Sequence, residues 1–233
     1  MLSTVAYIVV LIALVGFIWR IITYARTPAP LKIPTTPAPV TALGVRLRMF
    51  TEVAFFNSLF KGNKWTWLGG YAFHLALLLV TIRHFRYFVD PLPPIFAHFQ
   101  IIGIIAGIGM VAALGFLLVR RWWVDRTRFI SSAADYAILL LLLGIGVTGL
   151  LMKFVVRPDI VEIKHAMIGW VTLQGFPTPS DALFVIHFIL VLMLILIFPF
   201  SKLMHMGGIF FSPTRNQIDN PREKKHVNPW SKY

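Results

Sequence analysis

Seven histidines and no cysteine set the chemistry open to this 233-residue chain. Without thiolates there can be no disulfide framework, Cys-ligated zinc, iron–sulfur cluster or covalently attached c-type haem. A redox or metal centre must therefore hang on imidazole, thioether or carboxylate. Spacing sorts the histidines. His74 and His84 stand ten residues apart in one apolar stretch, and His187 and His205 stand eighteen apart within or at the end of another. His98 and His165 fall at the outer surface and His226 in the tail, where a solvated or hydrogen-bonded ring is the ordinary expectation.

The stretches that must position these rings are membrane spans. The chain is 58% hydrophobic and only 13% charged, with a mean hydropathy of +0.76, whereas soluble domains are about 25% charged. Roughly 20 apolar residues cross a hydrocarbon core about 30 Å thick. Five stretches qualify, near residues 4–24, 67–89, 96–119, 133–155 and 182–203. The first is too long for a signal peptide and lacks a small-residue cleavage site, so it reads as retained. The predicted fold class is an all-α integral membrane protein, a five-helix bundle over residues 1–206 with a polar tail over 207–233 that is too short to build a core. No repeat, Walker loop or GxGxxG element is present.

The net charge of +13 is read as topology rather than as a nucleic-acid footprint. With the N-terminus outside, the inner side collects the clusters Arg20 to Lys64, Arg120 to Arg128 and Lys202 to Lys232. The outer connections keep Arg83, Arg86, Lys153, Arg157 and Lys164, offset by Asp90, Asp159, Glu162 and Asp181. This predicts a multi-pass protein of a bacterial or archaeal cytoplasmic membrane with its C-terminus cytoplasmic. The inner connection 25–66 opens with five prolines between Thr27 and Val40, a semi-rigid spacer. Ala42 to Phe60 then reads as an amphipathic helix, either lying on the inner membrane face or docking a cytoplasmic partner.

Topology pairs the membrane histidines by depth, His84 with His187 toward the outside and His74 with His205 toward the inside. Two imidazoles at one level on facing helices are what a six-coordinate haem b requires. In straight helices His187 and His205 would share one face, while His74 and His84 would stand roughly 80° apart. The rises disagree, about 27 Å against about 15 Å, and Pro199 is the natural kink point. Other uses of these rings exist. Interhelical hydrogen bonds in membranes contribute only about 0.6 kcal/mol each. A proton relay would want carboxylates at intermediate depth, and Asp135 is the acidic residue well inside a span boundary. A haem-free anchor for a peripheral enzyme is a further alternative.

Haem propionates want cationic or backbone donors near the membrane surfaces. Arg83 and Arg86 are candidates at the outer level, with snorkelling to headgroups as their simpler role. Lys202, and Arg120 or Arg121, are candidates inside. Gly69, Gly70, Gly144, Gly146 and Gly149 would admit a macrocycle, or a neighbouring helix, at close range.

The two histidine spacings, the five helices and the run Phe198-Pro199-Phe200-Ser201-Lys202-Leu203-Met204-His205 resemble the respiratory nitrate reductase gamma subunit family of di-haem cytochromes b, over about residues 1 to 206. The resemblance implies two haem b, the outer on His84 and His187 and the inner on His74 and His205. In the nitrate reductase branch a lysine in the outer connection after the second helix is linked to quinone binding. The connection from Asp90 to His98 contains none, which leaves His98 or Arg86 for that contact. The tail, with Phe210-Phe211-Ser212-Pro213-Thr214-Arg215-Asn216-Gln217 and His226-Val227-Asn228-Pro229-Trp230, resembles the members that serve dissimilatory sulfur metabolism. That implies a subunit carrying electrons across the bilayer between menaquinone or ubiquinone and a cytoplasmic, heterodisulfide-reductase-like iron–sulfur partner. Other membrane and c-haem subunits would complete the complex. A gamma-type subunit of a nitrate-reductase-like complex is the alternative.

Overall fold

Polar residues that interrupt the apolar pattern turn out to be helix caps. Thr41 Oγ1 accepts from the Gly44 N–H at 3.1 Å, Asn63 Oδ1 from Thr66 N–H at 2.9 Å, and Asp181 Oδ1 from Phe184 N–H at 2.7 Å. Ser132 and Asp135 form a capping box, and Asp159 Oδ1 accepts from Val161 N–H at 2.8 Å. Each satisfies a backbone donor that the first helical turn leaves without a partner.

The computed structural model describes residues 2–28, 34–220 and 222–223. Lys32, His226 and the Val227 to Trp230 run lie outside the described residues. In chain order the α-helices are α1 (Leu2–Arg26), α2 (Ala42–Phe55), α3 (Asn57–Gly62), α4 (Lys64–His84), α5 (Ile95–Trp123), α6 (Asp125–Phe129), α7 (Ala133–Leu151), α8 (Ile160–Val171), α9 (Ala182–Ile197) and α10 (His205–Gly208). Five segments are long and apolar enough to span a membrane: Leu2–Arg26, Lys64–Tyr87, His98–Trp123, Ala133–Val156 and Ala182–Phe200. Each lies within a few residues of its expected position. Between 17 and 28% of each is buried inside the protein, so most of their Leu, Ile, Val and Phe surface needs an apolar surround.

The chain divides into two compact units, the first made of Met1–Leu11 and Asn63–Leu196. Its core joins Phe73 and Ala76 of α4 to Ala106, Met110, Ala113 and Leu114 of α5 and to Leu139 and Leu142 of α7. Glycines set the helix spacing. A Cβ at Gly69 would fall 2.7 Å from Phe116 Cδ1, and one at Gly146 would fall 2.8 Å from Val111 Cγ2. A second cluster packs Ile163, Ala166, Met167 and Trp170 of α8 and Phe184 of α9 with Tyr87 and Met152. Helix α8 thereby covers the end of the unit where α4 and α7 finish, and Lys164 pairs with Asp90 at 2.5 Å.

The second unit comprises Ile12–Gly62 and Ile197–Tyr233. Here Gly16 sits against Pro199, Phe17 against Phe198 at 6.3 Å between ring centroids, and Tyr24 against Phe211 at 6.1 Å. The proline-rich segment runs beside the tail, with Thr35 N–H donating to Thr214 O at 2.8 Å and Asp219 N–H to Pro39 O at 2.9 Å. Glu52 fastens the same region. Its carboxylate accepts from Ser58 N–H at 3.1 Å and from Arg215 Nη1 at 2.9 Å.

Two elements differ from the expectation. The amphipathic helix over Ala42 to Phe60 is broken at Phe56, which adopts a left-handed conformation with φ 52° and closes α2, while the Glu52 side chain caps the start of α3. The fifth span does not run as one helix to residue 203. It leaves α-geometry after Ile197, makes a single 3-10 turn through Pro199, and becomes extended at Ser201, whose φ and ψ are −121° and 177°. Ser201 then caps the turn that leads into His205. Pro199 offers no N–H and its ring opposes the preceding helical carbonyls, so one straight-helix register cannot relate His187 to His205.

Candidate functional site

Each of the four spanning or span-end histidines has its Nδ1 engaged. His74 Nδ1 lies 2.7 Å from Gly70 O, His84 Nδ1 2.7 Å from Val80 O, and His205 Nδ1 2.8 Å from Lys202 O. A carbonyl only accepts, so in all three rings Nδ1 carries the proton and the lone pair is on Nε2. His74 and His84 achieve this by reaching back one turn along α4, where a spanning segment offers no water as an alternative. His187 is held differently. Its Nδ1 lies 2.8 Å from Thr148 Oγ1, and the Thr148 hydroxyl is itself 2.7 Å from Gly144 O. With the hydroxyl proton on the Gly144 or Ile145 carbonyl, at 2.7 and 3.1 Å, Oγ1 accepts from His187 Nδ1 and Nε2 is again the basic nitrogen.

His84 and His187 come together at one end of the first unit. Tyr87, one turn beyond His84, and Phe184 and Phe188, which flank His187, belong to the cluster under α8. Position 149 is a glycine where α7 passes the His187 ring, and a Cβ there would touch Cε1 at 3.4 Å. His74, two to three turns earlier on α4, sits edge-on to Phe73 with centroids 4.9 Å apart. His205 begins α10 in the second unit and is exposed.

The two arginines beside His84 have different surroundings. The stem of Arg83 lies along Gly103 of α5, and its Nε is buried without a hydrogen-bond partner. Arg86 donates to Gln100 and stands over the Tyr87 ring at 5.8 Å. His98, at the start of the third span, is exposed, as is Lys202. His165, on α8, is exposed and edge-on to Phe176. Arg120 and Arg121 are occupied at the other end of the unit, donating to Thr127 and Ser131 at 2.9 and 2.8 Å.

The donor set fits a haem better than a bare ion. Among the described residues no group of three or more His, Asp or Glu side chains is placed to hold a metal. A porphyrin supplies four ligands itself and asks the protein for one or two axial imidazoles. Rings whose Nδ1 is fixed and whose Nε2 is basic meet that requirement, and the unpartnered buried nitrogen of Arg83 beside His84 suits an anionic group such as a propionate.

The model of the nitrate reductase gamma subunit family matches residues 50–218. The chain belongs to this family. The matched span takes in all four histidines and the turn through Pro199. Among similar proteins, the Hdr-like menaquinol oxidoreductase cytochrome b-like subunit of Archaeoglobus fulgidus is 36% identical, with 97% of this chain and 82% of that protein covered. The protein of the same description from Archaeoglobus profundus is 33% identical over 96% of this chain and 80% of its own length. The gamma-family membership agrees with the five apolar segments and makes the chain a multi-pass membrane protein.

Sequence reasoning missed three contributors to this gamma-family site. Thr148 carries no local signal, because its partner is 39 residues away. Gln100, which receives Arg86, is equally silent. Helix α8 was legible in principle: Asp159 and Glu162 mark an N-terminus, and Ile163, Ala166, Met167 and Trp170 repeat at helical spacing.

Proposed function

We propose that this chain is a di-haem cytochrome b subunit that passes electrons across the membrane between menaquinol and an iron–sulfur partner. What supports the reading is the placement of His84 and His187 at one end of the first unit, each with Nδ1 in a hydrogen bond that leaves Nε2 as the nitrogen to ligate iron. The Archaeoglobus relatives, named as menaquinol oxidoreductase subunits, support the quinol role.

In this reading His84 and His187 hold the outer haem and His74 and His205 the inner one. Held by these residues, the haems would supply one-electron transfer. Ligands at two depths divide a barrier of about 30 Å into shorter transfers. Arg83 holds an outer propionate and Lys202 an inner one, while Arg86 and His98 offer the polar contacts for a quinone headgroup. The N-terminus lies outside, and the basic inner face meets the cytoplasmic partner. The tail's resemblance to DsrM, the cytochrome b subunit of the DsrMKJOP complex, supports a DsrK-like, heterodisulfide-reductase-like partner and a place in dissimilatory sulfur metabolism.

The test is direct. Oxidised purified protein mixed with a reduced menaquinol analogue should develop the reduced b-type absorption spectrum. Protein that carries haem yet stays oxidised in excess quinol would overturn the quinol assignment.

A further inference from the structure

His187 differs from the other three histidines in one respect. His74, His84 and His205 each give the Nδ1 proton to a main-chain carbonyl three or four residues earlier on their own segment. No side-chain replacement removes such an acceptor. His187 instead turns across to α7 and gives its proton to the Thr148 hydroxyl at 2.8 Å, with the Ile145 carbonyl also in reach. The hydroxyl is oriented in turn, since its own proton goes to Gly144 O at 2.7 Å or Ile145 O at 3.1 Å. Next to Thr148, Gly149 leaves room for the ring, with the site of a Cβ 3.4 Å from Cε1. Two consecutive residues of one helix therefore fix both the tilt and the tautomer of a ring carried by another.

We infer that Thr148 is a positioning residue that sets the redox potential of the outer haem independently of the inner one. The inference rests on the proposed assignment of His84 and His187 as ligands of that haem. Its physical basis is the dependence of a ligand's donor strength on the hydrogen bond at its far nitrogen. An acceptor at Nδ1 lends the imidazole electron density and favours oxidised iron. Replacing the hydroxyl with a methyl removes that acceptor and the hydroxyl dipole together and leaves Nδ1 with the Ile145 carbonyl alone, which makes the iron easier to reduce. The other three histidines keep their carbonyl partners, so only one of the two centres should respond.

The test uses the full-length protein, purified with its haem, and four variants: Thr148→Val, Thr148→Ser, Gly149→Ala and His187→Ala. Valine matches threonine in shape, and single interhelical hydrogen bonds in membranes are weak, so the fold should persist. The expected result is two haems in Thr148→Val, with one midpoint raised by a roughly tenfold change in the oxidised-to-reduced ratio, about 59 mV for a one-electron couple. The component that moves should be the one missing from His187→Ala. Serine, which restores the hydroxyl, should restore the potential. Gly149→Ala, whose methyl meets the ring at ordinary contact distance, should leave it unchanged. Loss of the outer haem in valine but not in serine also supports the role, because the hydroxyl then holds the ligand outright. Two unmoved midpoints in Thr148→Val overturn the inference and leave the haem assignment standing. Equal loss of haem in valine and serine marks a merely structural site and overturns it as well. Wild-type protein without haem overturns the assignment on which it rests.

Discussion

Gly103 of α5 lies directly against the stem of Arg83: a Cβ at position 103 would fall 2.5 Å from Arg83 Cδ and 2.7 Å from Arg83 Cβ. The Cβ of Arg83 is fixed to the backbone, so a side chain at 103 cannot be accommodated by a rotamer change alone. The two helices must separate. Gly103→Ala is expected to cost about 1–3 kcal/mol, the usual penalty for overpacking, and to alter the spectrum of the haem proposed beside His84. Gly109→Ala on the same helix meets nothing within 4 Å and should melt like the parent protein in detergent. Equal melting of the two variants would show that the Arg83 contact does not constrain the helices.

Gly69 makes the same argument at the other end of α4. Its Cβ would fall 2.7 Å from Phe116 Cδ1 and 2.8 Å from Leu117 Cδ2, where α4 packs on α5. Gly69→Ala should lower thermal stability by about 1–3 kcal/mol. Gly115→Ala, with no neighbour within 4 Å, should not. A stability order with Gly115→Ala below Gly69→Ala would contradict the packing.

The spans were legible because hydrocarbon imposes a single requirement, a run of apolar residues about 20 long, and nothing local competes with it. Their caps were visible as well, once Asn63, Ser132 and Asp181 are read as the residues that punctuate the runs. The break at Ser201 was only half legible. Pro199 announces a kink, but whether the chain bends or leaves the helix altogether depends on the Ser201 hydroxyl capping the next turn. Phe56 gave no signal at all: a phenylalanine at φ 52° is held there by Glu52, which ends one helix and starts another. Residue type and spacing singled out His74, His84, His187 and His205 as candidate ligands, whereas Thr148, Gln100 and Gly103 meet their partners far along the chain.

Glu52 predicts a pH response outside the spans. Burial on its own would raise its carboxyl pKa, but hydrogen bonds from Ser58 and the nearby charges of Arg215 and Arg48 outweigh this and hold it below the usual 4.5. A carboxyl held below its unfolded value contributes stability that is complete above that value and is lost as the pH falls through the folded one. The contact between the tail and α2 should therefore be constant from about pH 6 to pH 8 and loosen only in acid below about 4.5. Glu52→Gln should weaken it at neutral pH, by about 2 kcal/mol for a hydrogen bond to a charged group, and remove the loosening in acid. Hydrogen-exchange protection at the Ser58 amide reads both effects, and protection that rises on acidification would contradict the sign.

The absence of native cysteine makes the orientation easy to test. Thr178→Cys and Lys61→Cys place single thiols at exposed positions on opposite sides of the proposed membrane. In intact cells a membrane-impermeant maleimide should label position 178 and spare 61 until the membrane is opened. The reverse pattern would invert the topology, and with it the assignment of the outer and inner haems.

The central claim is that four histidines of one chain hold two b-type haems, and the haem count of the purified protein tests it most directly. A pyridine haemochrome assay combined with a reductive titration should give two haem b per polypeptide in the parent protein and one in His187→Ala, with the surviving component unchanged in potential. Fully expressed, folded protein that contains no haem, or a His187→Ala variant that retains both haems, would contradict the account.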